Sequence, residues 1–417
     1  MKIKSAPRFN FESSSAWVVG LATAGIQFLC IFVFTLGIPG SLSQNYLALN
    51  NWDSRHYIQI AETGYVLPEN KITSEDIHGG RANAVFFPGL PLAARSLSRV
   101  AGVSVPVALL LIAHFSCWMF WTYFILLLRT YRVPRRMARF AVISVGIHPA
   151  AFFMVMGYTE ALFLAFLAGF VYWTERWHRN SAGSLSWEWA MAALHGFGLS
   201  TVRIVSWALA LFPVITACHG RFKKLRPSRE SVRDYFWAWA LGGSVTLGAL
   251  AFFYFCQLRF GDWSIYFKLQ EIGWDNQTRW LAIFNPLTYI PRFFFEHAVD
   301  SFNRASVTYT LVIFGIAYSI EKTRGYHWRG RFALYFSAFF LFYIPLTGKA
   351  NTPMDSMIRY TLPTHVLMVF ALTLIRKERA RSLFPKKLKW LVYAGGIFSI
   401  ILQAWFITRF LHGRWVA

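Results

Sequence analysis

The feature that most constrains this chain is a succession of apolar runs, each near the roughly 20 residues that an α-helix needs to cross a hydrocarbon layer. They fall at 15–37, 104–128, 138–156, 159–174, 236–258, 306–320, 332–347, 358–375 and 390–408. A backbone inside lipid must satisfy its own N–H and C=O groups, which leaves helices or a closed barrel. Continuous apolar runs, rather than strict alternation, select helices. The 56% hydrophobic and 15% charged content excludes a disordered chain and departs from a soluble enzyme, in which roughly a quarter of residues are charged. Eighteen Trp and 41 Phe suit interfacial belts. The sequence predicts an all-α polytopic membrane protein, a single integral membrane domain over 1–417.

Forty-two Lys and Arg against 19 Asp and Glu give a net charge of +23. In a soluble domain that would suggest nucleic acid. Here it reads as topology, with the lipid bilayer as partner and no nucleic acid expected. The segments 1–14, 129–139, 175–186, 219–235, 321–331 and 376–389 concentrate 27 of the 42 cations. The run 187–218 is long for one span and short for two. A bent hairpin turning near Ser200–Arg203 keeps every basic segment on one side, whereas a single span would send 219–235, 321–331 and 376–389 across, against the positive-inside rule. The reading is about eleven membrane segments, with a cytoplasmic N-terminus and the C-terminus outside. Lys2, Lys4 and Arg8 resemble the flank of a signal peptide, but run 15–37 exceeds a cleaved apolar core of ~7–15 residues and predicts a retained anchor. Cys30, Cys117, Cys218 and Cys256 lie in or beside apolar runs with no C-x-x-C pair, and read as small buried hydrophobes.

Two outer segments are long, the first extracytoplasmic loop at 38–103 and a second at 259–304. In the first, Trp52, Tyr57, Ile60 and Ala61 recur at helical spacing, as do Phe87, Leu90, Leu97 and Val100, predicting helices in the membrane interface. The polar, glycine-containing stretch 66–83 between them predicts a mobile connection.

P-loop, zinc and G-x-S-x-G spacings are absent, and Gly196 and Gly198 lack a third glycine for a dinucleotide fingerprint. The ionisable residues near the outer surface stand out instead. Asp53 follows the first span between Trp52 and Arg55–His56; it suits a general base on a hydroxyl, although taken alone the commoner role of such a residue is a helix cap or a partner of Arg55. Glu160 sits between two apolar runs, where an acid costs roughly 2.5–3.5 kcal/mol and needs a partner, a wet cavity or a helix N-terminus. Arg203 lies within an apolar run and Arg359 opens another, with Lys349 and Asp355 nearby. Guanidiniums at such a boundary suit a phosphate, or else salt bridges to Glu160, Asp53 or Asp355. His148, before Pro149, reads as a packed histidine, and Asn276-Gln277-Thr278 is a weak glycosylation match. No cofactor is implied; a divalent metal is compatible but not called for, because no clustered acidic ligand set is present.

These same residues carry a resemblance. "WDSRHYIQIAETGY" (52–65), "FFPGLPL" (86–92), "HPAAFFMVMGYTEALF" (148–163), "STVRIVSW" (200–207), "FGDWSIYFKLQ" (260–270) with Trp274 and Trp280, "SMIRYTLP" (356–363) and "WVA" (415–417) resemble, in order and spacing, the PIG-V-like mannosyltransferases, relatives of the enzyme that adds the second mannose of GPI anchors. The resemblance implies a GT-C-type glycosyltransferase fold, a polyprenyl- or dolichyl-phosphate sugar donor, a glycolipid or other membrane-associated acceptor, and an active site facing away from the cytoplasm. It implies Asp53 as catalytic base with Glu160 beside it. It suggests Glu160, Arg203 and Arg359 as active-site neighbours; the positions of the residues in the sequence add the expectation that Arg203, Arg359 and Lys349 meet the donor phosphate and that Trp52, His56, Tyr57, Tyr158, Gln270 and Tyr360 line the substrate pocket. Gly89-Leu90 and His148 depart from the family pattern, and the short loops look like its prokaryotic branch. The expected activity is an inverting, lipid-phosphate-sugar-dependent hexosyltransferase. The rival from another class is a transporter or flippase of a lipid-linked anionic substrate, which would show repeated halves and midplane charges.

Overall fold

The computed structural model describes residues 14–181, 183–221, 229–276, 301–323, 331–347, 356–374 and 386–416. Among the described residues the chain is helical, with no strand. The helices are α1 (Ser14–Thr35), α2 (Leu42–Leu47), α3 (Asp53–Thr63), α4 (Ser74–His78), α5 (Gly89–Ala101), α6 (Val105–Thr130), α7 (Arg135–Gly146), α8 (Thr159–Asn180), α9 (Trp187–Val202), α10 (Phe212–Arg221), α11 (Arg229–Phe260), α12 (Ile265–Trp274), α13 (Ser301–Thr323), α14 (Phe332–Thr347), α15 (Met357–Thr373) and α16 (Lys386–Leu411). Short 3-10 turns lie at Ala151–Met154 and Ile204–Leu209.

Among the described residues four helices, within α1, α6, α11 and α16, are long and apolar enough to cross a membrane, and the segments Ile204–Cys218 and Phe332–Leu346 are shorter and apolar. α6 is the pivot: it packs against α1, α5 and α8, with α9 laid on α8 and α11 on α9. α15 lies between α7, α13 and α14. Phe120, Trp121, Phe124, Phe163 and Phe170 fill the centre at essentially zero exposure. By contrast, α1 turns Val18, Leu21, Ile26, Leu29 and Val33 outward, and α16 exposes Ile397, Phe398 and Ile401. An exposed apolar face along a long helix is stable against hydrocarbon and costly against water.

Three expectations need correction. The run 138–156 is not one span: α7 ends at Gly146, ahead of Pro149, and a buried 3-10 turn follows. Carbonyls released by the break are taken up by side chains, Ser399 Oγ donating to Ile147, Gln403 Nε2 to Gly146 and His148, and Gln27 Nε2 to Ala151. That repair is what lets irregular backbone sit inside an apolar bundle. Second, 66–83 is folded rather than mobile. Thr73 and Asp76 form a reciprocal cap on α4, Arg81 Nε bonds Asp76 at 2.7 Å, and Asn83 bonds the backbone of Val66 and Gly64. Ile77, Ala82 and Asn83 are wholly buried, so polar composition here marks side-chain bonding to backbone and not solvation. Third, Phe87 is not part of the helix predicted with Leu90, Leu97 and Val100: it precedes α5 and packs on Phe252 and Tyr266.

Candidate active site

The N-termini of three helices meet at the site. Asp53 is the first residue of α3, Glu160 the second of α8 and Arg359 the third of α15. Acids are favoured at the positive end of a helix dipole, so Asp53 and Glu160 are stabilised where they stand. Arg359 is disfavoured by its own helix end, and its counter-charges come from the other two. Its Nε donates to Glu160 Oε1 at 2.7 Å and its Nη1 to Asp53 Oδ2 at 2.8 Å.

Arg203 completes the chain of charges. The 187–218 run breaks at this residue: α9 ends at Val202 and Arg203 is extended (φ −153°, ψ 135°) before the next 3-10 turn. The break turns its side chain toward α8, where Nη2 donates to Glu160 Oε1 at 2.6 Å and Nε to Thr159 Oγ1 at 2.9 Å. Two carboxylates and two guanidiniums thus form a formally neutral network. Aromatic faces flank both cations, Tyr158 at 4.8 Å and Phe153 at 5.1 Å from Arg359, and Tyr360 at 5.6 Å from Arg203.

Backbone strain marks two of these helix starts. Trp52, just before Asp53, has φ +50°, and Ser356, just before α15, has φ +60°. Non-glycine residues in this region cost of order 1–3 kcal/mol and persist where packing over-determines them. At Trp52 the surroundings do so: Asn51 Oδ1 accepts from its N–H, Asn51 Nδ2 bonds Phe410 O, and Ser54 Oγ bonds Gly157 O. Gly89 seats the wall opposite, since a Cβ there would lie 2.8 Å from the Thr201 carbonyl.

The network borders a cavity of about 170 Å³ whose lining includes Asp53, Tyr57, Thr159, Arg203, Arg359 and Tyr360. Gln270, Trp274, Asn276, Phe86 and Trp415 line it as well. Asp53 keeps 21% of its side chain exposed, whereas Glu160 keeps 1% and does not line the cavity. Glu160 is therefore the buried counter-ion behind the arginines, with both held on Oε1. Its Oε2 has no hydrogen-bond partner among the described residues.

The remaining sequence candidates divide three ways. Tyr57, Gln270 and Tyr360 line the cavity. Trp52, His56 and Tyr158 stand one layer back: His56 stacks on Phe86 at 4.8 Å, and Tyr158 lies under Arg359. Burial holds the His56 imidazole below its ordinary value, reinforced by His78 and Arg55 and opposed by Asp53. Lys349 lies outside the described residues, as does Asp355. Gln270 spends its amide on the wall, donating to Val85 O at 3.1 Å and accepting from Asn276 at 2.7 Å. Thr159, Phe86, Asn276 and Trp415 went unassigned as site residues; the adjacency of Thr159 to Glu160, and the places of Phe86 and Trp415 in the quoted motifs, were the available signals, whereas Asn276 reaches the cavity through packing alone. No group of three or more His, Cys, Asp or Glu in a metal-binding arrangement occurs among the described residues.

No protein-family model matches the chain, and no curated protein matches it. The functional reading therefore stands on the geometry and on the sequence motifs.

Proposed function

We propose that this protein is an inverting glycosyltransferase of the GT-C type, with about eleven membrane segments, acting on the extracytoplasmic side. Its donor is a polyprenyl- or dolichyl-phosphate hexose, with mannose the sugar implied by the motifs, and its acceptor is a hydroxyl of a glycolipid or other membrane-associated molecule. One observation carries the reading: a cavity reached, among the described residues, by one partly exposed carboxylate, Asp53, and by two guanidiniums that share a buried carboxylate behind them.

The chemistry follows from those positions. Asp53 takes the proton of the acceptor hydroxyl, and the oxygen attacks the anomeric carbon of the donor. The bond from that carbon to the phosphate oxygen breaks, and polyprenyl phosphate leaves with the bonding pair. Arg203 and Arg359 meet the charge that develops on the phosphate, as preorganised cations do in a water-poor site. Glu160 holds both guanidiniums in place, a positioning role. One carboxylate suffices because inversion forms no covalent glycosyl-enzyme.

The test is transfer from a synthetic polyprenyl-phosphate mannose to membrane-extract acceptors, with wild type and Asp53→Asn compared at equal folded yield. Product from wild type and a loss of at least ~100-fold in the variant are expected, the scale of general-base catalysis. Unchanged turnover in the variant would remove Asp53 from the chemistry. Tight donor binding with no product from wild type on any acceptor would favour a transporter instead.

A further inference from the structure

The segment after α16 folds back to the site. Gly413 takes φ +69°, Arg414 N bonds Arg409 O at 2.9 Å, and Trp415 reaches the cavity. There Trp415 packs edge-on against Trp52, with ring centroids 5.3 Å apart. Trp52 immediately precedes Asp53, so a continuous line of neighbours runs Trp415, Trp52, Asp53, Arg359, Glu160, Arg203. Trp415 stands at the carboxylate end of that order and Arg203 at the other.

Among the described aromatic residues lining the cavity, Trp415 differs in one respect. Tyr57, Phe87 and Tyr266 are buried, and Phe86, Trp274 and Tyr360 are partly so, whereas Trp415 keeps 39% of its surface exposed. An exposed indole at the mouth of a polar cleft loses little by holding its place and gains by burying its ring against a ligand. The C–H face of a pyranose is apolar and matches that ring, while its hydroxyls stay free to reach a carboxylate.

We propose that Trp415, braced by Trp52, is the platform of an acceptor subsite that binds a hexopyranoside ring beside Asp53. The inference rests on the transferase reading and deepens it: the acceptor hydroxyl belongs to a sugar ring, and the indole sets that ring against the base. Trp415 is a specificity-determining residue and takes no part in bond making.

Two measurements test it. The full chain, labelled with 5-fluorotryptophan in lipid nanodiscs, has its Trp415 resonance assigned by its loss in Trp415→Phe. Octyl α-D-mannopyranoside is expected to shift that resonance, and an octyl oligoethylene glycol of matched chain length is not. No shift with the mannoside, or equal shifts with both, would overturn the subsite. This readout needs no turnover, so it separates failure of the subsite from failure of the transferase.

The second measurement is kinetic, with octyl α-D-mannopyranoside as acceptor and polyprenyl-phosphate mannose as donor. Trp415→Ala is expected to raise the acceptor KM about tenfold while kcat and donor KM stay within about twofold, and Trp415→Phe to recover most of the loss, the span of one aromatic contact. An unchanged acceptor KM in Trp415→Ala, or a fall confined to kcat, would overturn the proposal.

Discussion

Arg359 and Asp53 lie 306 residues apart in the chain and are joined by a 2.8 Å hydrogen bond at the mouth of the cavity. The same guanidinium reaches Glu160 through a different nitrogen, so one planar fork ties the partly exposed carboxylate to the buried one. Both groups sit in the first turn of their helices, so the bond joins the start of α15 to the start of α3.

Removing the shared counter-ion leaves two cations facing each other in a buried place. Glu160→Ala should therefore destabilise the protein by about 3–5 kcal/mol, the range for breaking a buried ion pair by deleting one partner. Arg359→Lys should also lower stability, because an ammonium cannot bridge two carboxylates in a fixed plane. Thermal unfolding of purified protein in detergent checks both. A Glu160→Ala variant as stable as wild type would show that the network contributes nothing to the fold.

The wall of the cavity depends on close approach at Gly89. A Cβ there would sit 2.8 Å from the Thr201 carbonyl oxygen and 3.0 Å from Val202 Cγ2, neither of which is a flexible side-chain end. Gly89→Ala should cost about 1–3 kcal/mol by overpacking and displace the segment carrying Phe86 from Arg203. Leu92→Ala on an exposed position of the same helix should have little effect. Melting temperatures of the two variants, measured side by side, give the comparison.

Burial of His56 sets the sign of a pH dependence. Burial holds its imidazole below the ordinary value of 6.5, so the unfolded chain binds that proton more tightly than the folded one. The stability associated with neutral His56 is fully present above the unfolded value and is lost as pH falls through 6.5 toward the lower folded value. His56→Phe keeps a ring against Phe86 and cannot titrate. Its melting temperature should fall less than that of wild type between neutral and mildly acidic pH. Parallel pH profiles would rule out His56 as the titrating group.

The topology is checked by labelling single cysteines on a background in which the four native ones are serine. Arg81→Cys, 65% exposed in wild type, should react with a membrane-impermeant maleimide on intact cells. Arg135→Cys, in the basic segment 129–139, should react only after permeabilisation. The reverse pattern would invert the proposed sidedness.

The apolar runs were legible because membrane insertion depends on a sum over neighbouring side chains, a local property of the sequence. By the same logic Asp53, Glu160, Arg203 and Arg359 stood out singly, since each is an ionisable group where hydropathy disfavours one. Local sums miss two other things. The break after Gly146 is tolerated only because Gln27, Ser399 and Gln403 arrive from distant helices to bond the freed carbonyls. The order in 66–83 comes from Asn83 turning inward and from Asp76 capping α4 at the surface, where composition suggested a free chain.

What the sequence by itself determined is the class of the protein, a helical membrane chain with a few charges stranded beside its apolar runs. Only the tertiary structure decided which carboxylate faces the cavity and which lies behind the arginines, and that Trp415 stands beside Asp53. The physical reason is range. Desolvation acts residue by residue and leaves its mark in the sequence, whereas the pairing of charges depends on where helix ends meet. That meeting is set by contacts such as Gly89 on Thr201, between residues far apart in the chain.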